Sequence, residues 1–394
     1  MRQKGATVSQ QQTISKAGAT PPKRRIEAID VAKGIGILSI IVGHLAAEAS
    51  YNTQRIVAFV FLYHVPIFFL IAGYFLSVKR PFGQFVKSKA QRLLYPFAFA
   101  SAVMFLVVLL LLGMRGHCLP PTIYRSPLDA FEAGLLGYGA PQGSMFPQVT
   151  WIGAIWFLEA LFWSLLAGYG ILKLEALMLE GVPQWLTMGL LLLATFGAAY
   201  GAHALLPIIG LLPLNISTAL FSLFYLYLGH VLRRFNFFAK DMNVFLFLTF
   251  LAISAVMYHF RYFVNMVIDD ADPHWLGFFA ALPATLAVMQ ISRYLVHFVR
   301  PVANLLTFFG RNSLIFLVVH ILLINLGGTY LLYRVVPFIM PNVLSFYLLI
   351  IIHLTAGTLV SLLNDRWKPL QKIFGVPVEL SQERRVTAVV KQSV

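Results

Sequence analysis

The residues best suited to chemistry in this 394-residue chain sit where hydrocarbon would exclude them. His44 lies deep in the apolar run IEAIDVAKGIGILSIIVGHL, residues 26–45, which carries Asp30 and Lys33 near its start. An ionisable side chain at the centre of a bilayer costs about 2.5 kcal/mol or more on insertion scales, so its retention points to function. Helical rise and turn set His44 about 16 Å beyond Lys33 on nearly the same face. Asp30 falls within about 60° of both. One helix face thus carries an acid and a base near one membrane surface and an imidazole well inside.

Three further groups reach a similar depth. His64 precedes Pro66 in YHVPIFFLIAGYF, Glu159 lies in AIWFLEALFW, and His320 ends FFGRNSLIFLVVH. Counting from helix ends puts His44 about 9 Å, and His64 and Glu159 about 12 Å, from one membrane surface, with His320 in the same outer third. Such groups face a bundle interior or a wet cavity, so convergence on one site is expected. The chemistry they suit is general base catalysis by histidine, with a carboxylate to orient the ring or a cation to hold an anionic substrate. Arg311, Asn312 and Ser313 offer donors from the opposite side, where Arg and Lys suit a phosphate or pyrophosphate. No nucleophile elbow, P-loop or HExxH motif is present, and no two histidines stand at i and i+4, so no metal site is expected. His203, His230, His259 and His353 read as packing residues. The same buried groups would also serve the proton relay or substrate path of a transporter or flippase.

The elements that must position these groups follow from composition. With 59% hydrophobic residues, 11% charged residues and a mean hydropathy of +0.78, the chain is too apolar for a soluble domain. Runs long enough to span a bilayer occur at about 31–50, 56–78, 93–113, 151–172, 184–205, 214–232, 243–262, 275–296, 303–325 and 343–363. The expectation is an all-α polytopic membrane protein of about ten transmembrane helices. The net charge of +15 would suggest nucleic acid in a soluble protein. Here Lys and Arg crowd the segments on one side, leaving the other with Arg55, Arg115, Arg125, Arg261 and Arg334. That bias puts both termini in the cytoplasm and accounts for the charge without nucleic acid. The acidic cluster Asp269, Asp270 and Asp272 then lies outside.

Residues 1–25 are polar and basic and read as a disordered cytoplasmic tail. They carry no apolar core of a cleavable signal peptide. Residues 26–372 form the membrane domain, and 373–394 a second cytoplasmic tail. Cys118, the single cysteine, excludes an intrachain disulfide and any CxxC motif. The long outer segment 114–150 reads as a lid over an extracytoplasmic site or as a plain connector.

Four segments carry a family likeness: DVAKGIGILSIIVGH at 30–44, HVPIFFLIAGYFLS at 64–77, RLLYPF at 92–97 and FFGRNSLIFLVVH at 308–320. AIWFLEALFW at 154–163 and YLGHVLRR at 227–234 add weaker support. In order and combination they resemble the membrane acyltransferase family 3, close to its fucose 4-O-acetylase-like branch. The resemblance implies a ten-helix, multi-pass inner-membrane O-acetyltransferase. Such an enzyme takes an acyl group, usually acetyl from cytoplasmic acetyl-CoA, to a hydroxyl of a glycan, exopolysaccharide or related acceptor. Its partners would be acyl-CoA, that acceptor and the lipid bilayer, with no bound cofactor.

Family members carry an Arg and a His with ten residues between them in the first helix; Lys33 and His44 hold those positions here. Lysine keeps the charge but loses the planar fork that grips phosphate bidentately. The resemblance makes His44 the central base, with Glu159 or His64 to orient it. Lys33, Arg92 and Arg311 would meet the CoA phosphates, and Asp30, Asn312, Ser313 and His320 would complete the substrate contacts. Direct attack of the acceptor on the thioester and a transient acyl-histidine both fit this pattern.

Overall fold

In hydrocarbon every backbone N–H and C=O must be satisfied within the chain, so long apolar runs are driven into helices. A computed structural model describes residues 26–48, 53–115, 123–140, 144–239, 241–271, 275–327 and 342–375. Among them the fold is all-helical, with fourteen α-helices and no strand beyond two isolated bridges. The expected basic tail 1–25, Cys118, Asp272, Arg334 and residues 376–394 of the second tail lie outside the described residues.

The helices are α1 (Glu27–Glu48), α2 (Gln54–Phe61), α3 (Pro66–Tyr74), α4 (Phe82–Arg115), α5 (Pro127–Leu136), α6 (Trp156–Met178) and α7 (Gln184–Ile209). They continue with α8 (Ile216–Arg234), α9 (Val244–Phe260), α10 (Leu276–Phe298), α11 (Arg300–Arg311), α12 (Ser313–Asn325), α13 (Asn342–Arg366) and α14 (Lys368–Phe374). Among the described residues, eight segments are long and apolar enough to cross a membrane, and the pair α11 and α12 makes a ninth if counted together. The protein is therefore a multi-pass helical membrane protein.

Two runs that read as continuous helices are broken. α11 and α12 meet at 69°. At the bend Asn312 leaves helical geometry, with φ −102° and ψ 14°, and its backbone N–H and side-chain amide both donate to the Phe308 carbonyl, at 3.2 and 3.0 Å. The run 56–78 is interrupted at residues 62–65, just before Pro66, which has no N–H to continue the helical ladder, although Val65 ahead of it keeps α-region dihedrals. Hydropathy is continuous through both breaks. The run 243–262 forms α9, an apolar helix of 17 residues with no buried side chain, packed on α10. The segment 114–150 contains α5.

α1 is the hub, packing against α2, α3, α10, α11, α12 and α13. Its span is 72% buried within the protein and that of α8 78%, whereas α7 is 17% buried and so lies at the periphery. One close backbone approach joins α1 to α11. A Cβ on Gly34 would run into the Leu306 carbonyl, and one on Gly310 into the Asp30 carbonyl. Without driving force from lipid, backbone-to-backbone packing of this kind is what associates membrane helices.

Candidate active site

His44 opens onto a cavity of about 140 Å³. His64, Trp151, Trp156, Asn265 and Asn325 share its wall. α1 carries His44, while the break between α2 and α3 places His64 in irregular backbone. The His64 Nδ1 lies 2.9 Å from the Val60 carbonyl. A carbonyl only accepts, so Nδ1 carries the proton and Nε2 is left as an acceptor. Two segments outside the α-helices complete the wall. Asn325 donates from Nδ2 to the Ile152 carbonyl at 2.8 Å, tying the stretch ahead of α6 to α12. Asn265 and Asp270 exchange backbone hydrogen bonds of 2.9 and 3.1 Å, closing the turn that presents residues 264–267.

Behind His44 stands a row of imidazoles. His320 on α12 lies 5.7 Å from it, ring centroid to centroid, and His353 on α13 lies 5.0 Å beyond. His320 is fully buried and neither of its ring nitrogens has a hydrogen-bond partner among the described residues. Among the described residues, no group of three or more His, Cys, Asp and Glu could hold a metal ion.

Glu159 is not brought to His44. Its Oε2 accepts from Asn215 Nδ2 at 2.9 Å, and the same amide donates to the Gly137 carbonyl at 2.7 Å. The carboxylate thus joins α6 to the C-terminal end of α5 and the start of α8, and it lines neither this cavity nor the next.

Lys33 opens onto a second cavity of about 750 Å³, lined also by Asp30, Tyr74, Arg92, Arg233 and Ser313. Asp30 is buried between two cations, with its oxygens 3.9 Å from Lys33 Nζ and 4.0 Å from Arg311 Nε. The pairing crosses the tight contact between α1 and α11. Arg233 donates from Nη1 to the Tyr74 and Leu76 carbonyls at 3.3 Å, which fixes its guanidinium at the cavity edge. Arg311 and Asn312 face a third, polar cavity of about 420 Å³ that adjoins the second at Leu314. The bend at Asn312 is what separates them from Ser313.

The family model described as an acyltransferase domain matches residues 26–362. The chain belongs to the acyltransferase 3 family. No curated protein and no solved structure shows a match. The matched region takes in α1 through most of α13 and the His44 and Lys33 cavities, so the membrane fold and the family together describe a membrane acyltransferase. In this acyltransferase, Arg233, Asn265 and Asn325 line the two cavities at positions that sequence reasoning overlooked, whereas His353 donates from Nδ1 to the Leu349 carbonyl at 2.8 Å, as a packing histidine does. Arg233 had a signal in YLGHVLRR. Asn265 and Asn325 had none, because an uncharged amide near a helix end reads as a cap or a turn.

Proposed function

We propose that this protein is an O-acyltransferase, of the fucose 4-O-acetylase-like kind, that moves an acetyl group from cytoplasmic acetyl-CoA to a hydroxyl of a glycan or exopolysaccharide. It does so in the inner membrane, through about ten membrane-crossing helices, with both termini in the cytoplasm. One observation carries the reading. Lys33 and His44, on one stripe of α1, open into two abutting cavities, one edged with cations and the other containing His44 and His64.

In this reading the cation-edged cavity takes the donor. Lys33, Arg92 and Arg233 attract the CoA phosphates by charge-assisted hydrogen bonds, with Arg311 and Asn312 reaching them from the adjoining polar cavity and Ser313 donating beside the thioester arm. Asp30 holds Lys33 and Arg311 in place. The pantetheine arm covers the roughly 16 Å from Lys33 to His44. His44 takes the proton of the acceptor hydroxyl as its oxygen attacks the thioester carbonyl. The C–O bond forms, the C–S bond breaks, and the proton passes to the departing sulfur to leave the ester and the CoA thiol. His64 stands beside the reacting hydroxyl with Nε2 as acceptor. His320 backs His44, and Glu159 acts through Asn215 to hold the turn at Gly137, two residues before Gly139 of the acceptor cavity.

The experiment is direct. Membrane vesicles from cells deleted for the protein and carrying wild type or His44→Ala receive radiolabelled acetyl-CoA, and label in glycan is measured. Label that depends on His44 supports the proposal. Acceptor uptake that needs no acyl donor would overturn it in favour of transport.

A further inference from the structure

The two cavities meet at three side chains. Ile40 on α1, Phe157 on α6 and Leu317 on α12 line both the Lys33 cavity and the His44 cavity. Each helix passes the junction in order. On α1, Lys33 and Ile37 line only the first cavity and His44 only the second. On α12, Ser313 and Leu314 line the first, and Ile321 and Asn325 the second. On α6, Leu158 and Leu161 line the first and Trp156 the second. All three shared side chains are buried and apolar. Phe157 is held edge-on by Phe68 and Phe69 of α3, at centroid distances of 5.6 and 5.3 Å.

We propose that Ile40, Phe157 and Leu317 form an apolar collar that selects the transferred acyl group by length and polarity. The inference rests on the acyl-transfer reading of the two cavities. Ile40 precedes His44 by one helical turn, about 6 Å, so a thioester coming from the Lys33 cavity reaches His44 only past the collar. The acyl tail must then lie in the collar or in the His44 cavity, whose 140 Å³ also has to admit the acceptor hydroxyl. An acetyl methyl fits that space. In the collar each added methylene meets buried, packed side chains, and apolar pockets discriminate one methylene by about 10- to 200-fold. A succinyl group would also bring a carboxylate to a ring of side chains that offers it no partner.

The test uses the same vesicles with labelled acetyl-, butyryl- and succinyl-CoA, and reads the ratio of acyl groups transferred. Wild type prefers acetyl over butyryl by about tenfold or more. Phe157→Leu and Leu317→Ala, which widen the collar, lower that ratio at least about tenfold, whereas Ile40→Phe raises it. A CoA-induced thermal shift of each purified variant confirms that it is folded, and only folded variants are compared. A ratio unchanged in both widening variants, or succinyl transfer as fast as acetyl by wild type, overturns the collar while leaving acyl transfer standing. Absence of transfer from every acyl-CoA by wild type overturns both.

Discussion

His44 and His320 face each other across the contact of α1 with α12, their ring centroids 5.7 Å apart. Only His44 borders the cavity; His320 is buried behind it, with His353 at its back. The two histidines should therefore differ in how they affect the reaction.

His44→Ala lowers acetyl transfer by about 10²- to 10⁴-fold, the range of a lost general base. His320→Ala lowers kcat less and leaves the KM for acetyl-CoA unchanged, because it touches neither cavity. Initial rates across a range of acetyl-CoA concentrations separate the two, and a KM effect at His320 would place it against the donor instead.

Lys33→Ala should act through binding. A hydrogen bond to a charged group contributes about 1.5–3 kcal/mol, so the KM for acetyl-CoA rises about 10- to 100-fold while kcat changes little. Lys33→Arg restores most of the affinity, since the charge beside Asp30 and the cavity is retained. Titrating the CoA-induced thermal shift reads the same loss without turnover.

The Glu159 carboxylate depends on Asn215. Replacing Asn215 with leucine leaves a buried acceptor unsatisfied, which costs about 1–3 kcal/mol and lowers the thermal midpoint in detergent. Glu159→Gln keeps the shape and should reduce kcat far less than His44→Ala does. A loss of kcat as large as that of His44→Ala, with an unchanged midpoint, would return Glu159 to the chemistry.

Asp269 provides a pH dependence outside the membrane-spanning helices. Burial pushes its carboxyl up to about 7, with the Thr218 and Ser217 hydroxyls drawing it partway back. The folded protein then holds a proton that the unfolded chain gives up near pH 3.8. The resulting stabilisation is complete below that pH, falls as pH rises toward about 7, and is gone above it. The whole change is on the order of 4 kcal/mol at most. Asp269→Asn flattens the decline in thermal midpoint between about pH 4 and pH 7 and makes the protein more stable than wild type above it. Parallel pH profiles for the two proteins would show that Asp269 does not titrate in that window.

Much of the helical architecture was legible because it is local. Apolar length decides where a span forms, and the geometry of one helix puts Lys33, Ile40 and His44 on one stripe whatever surrounds it. The four motif segments were likewise enough to indicate the family. The breaks at residues 62–65 and at Asn312 escaped notice, since the missing N–H of Pro66 and the non-helical dihedrals of Asn312 leave hydropathy uninterrupted. Glu159 looked like a partner for His44 on depth alone, but its neighbours are set by which face of α6 meets α8. His353 donates to the Leu349 carbonyl of its own helix, as a packing histidine does, and only the placement of α13 sets it beside His320. By itself the sequence determined that α1 carries a cation and an imidazole on one face. Only the tertiary structure decided that they open into two cavities meeting at Ile40, Phe157 and Leu317. Lipid gives helices no hydrophobic reason to prefer one neighbour, so their arrangement depends on close packing among distant segments, such as Gly34 on Leu306 and Gly310 on Asp30.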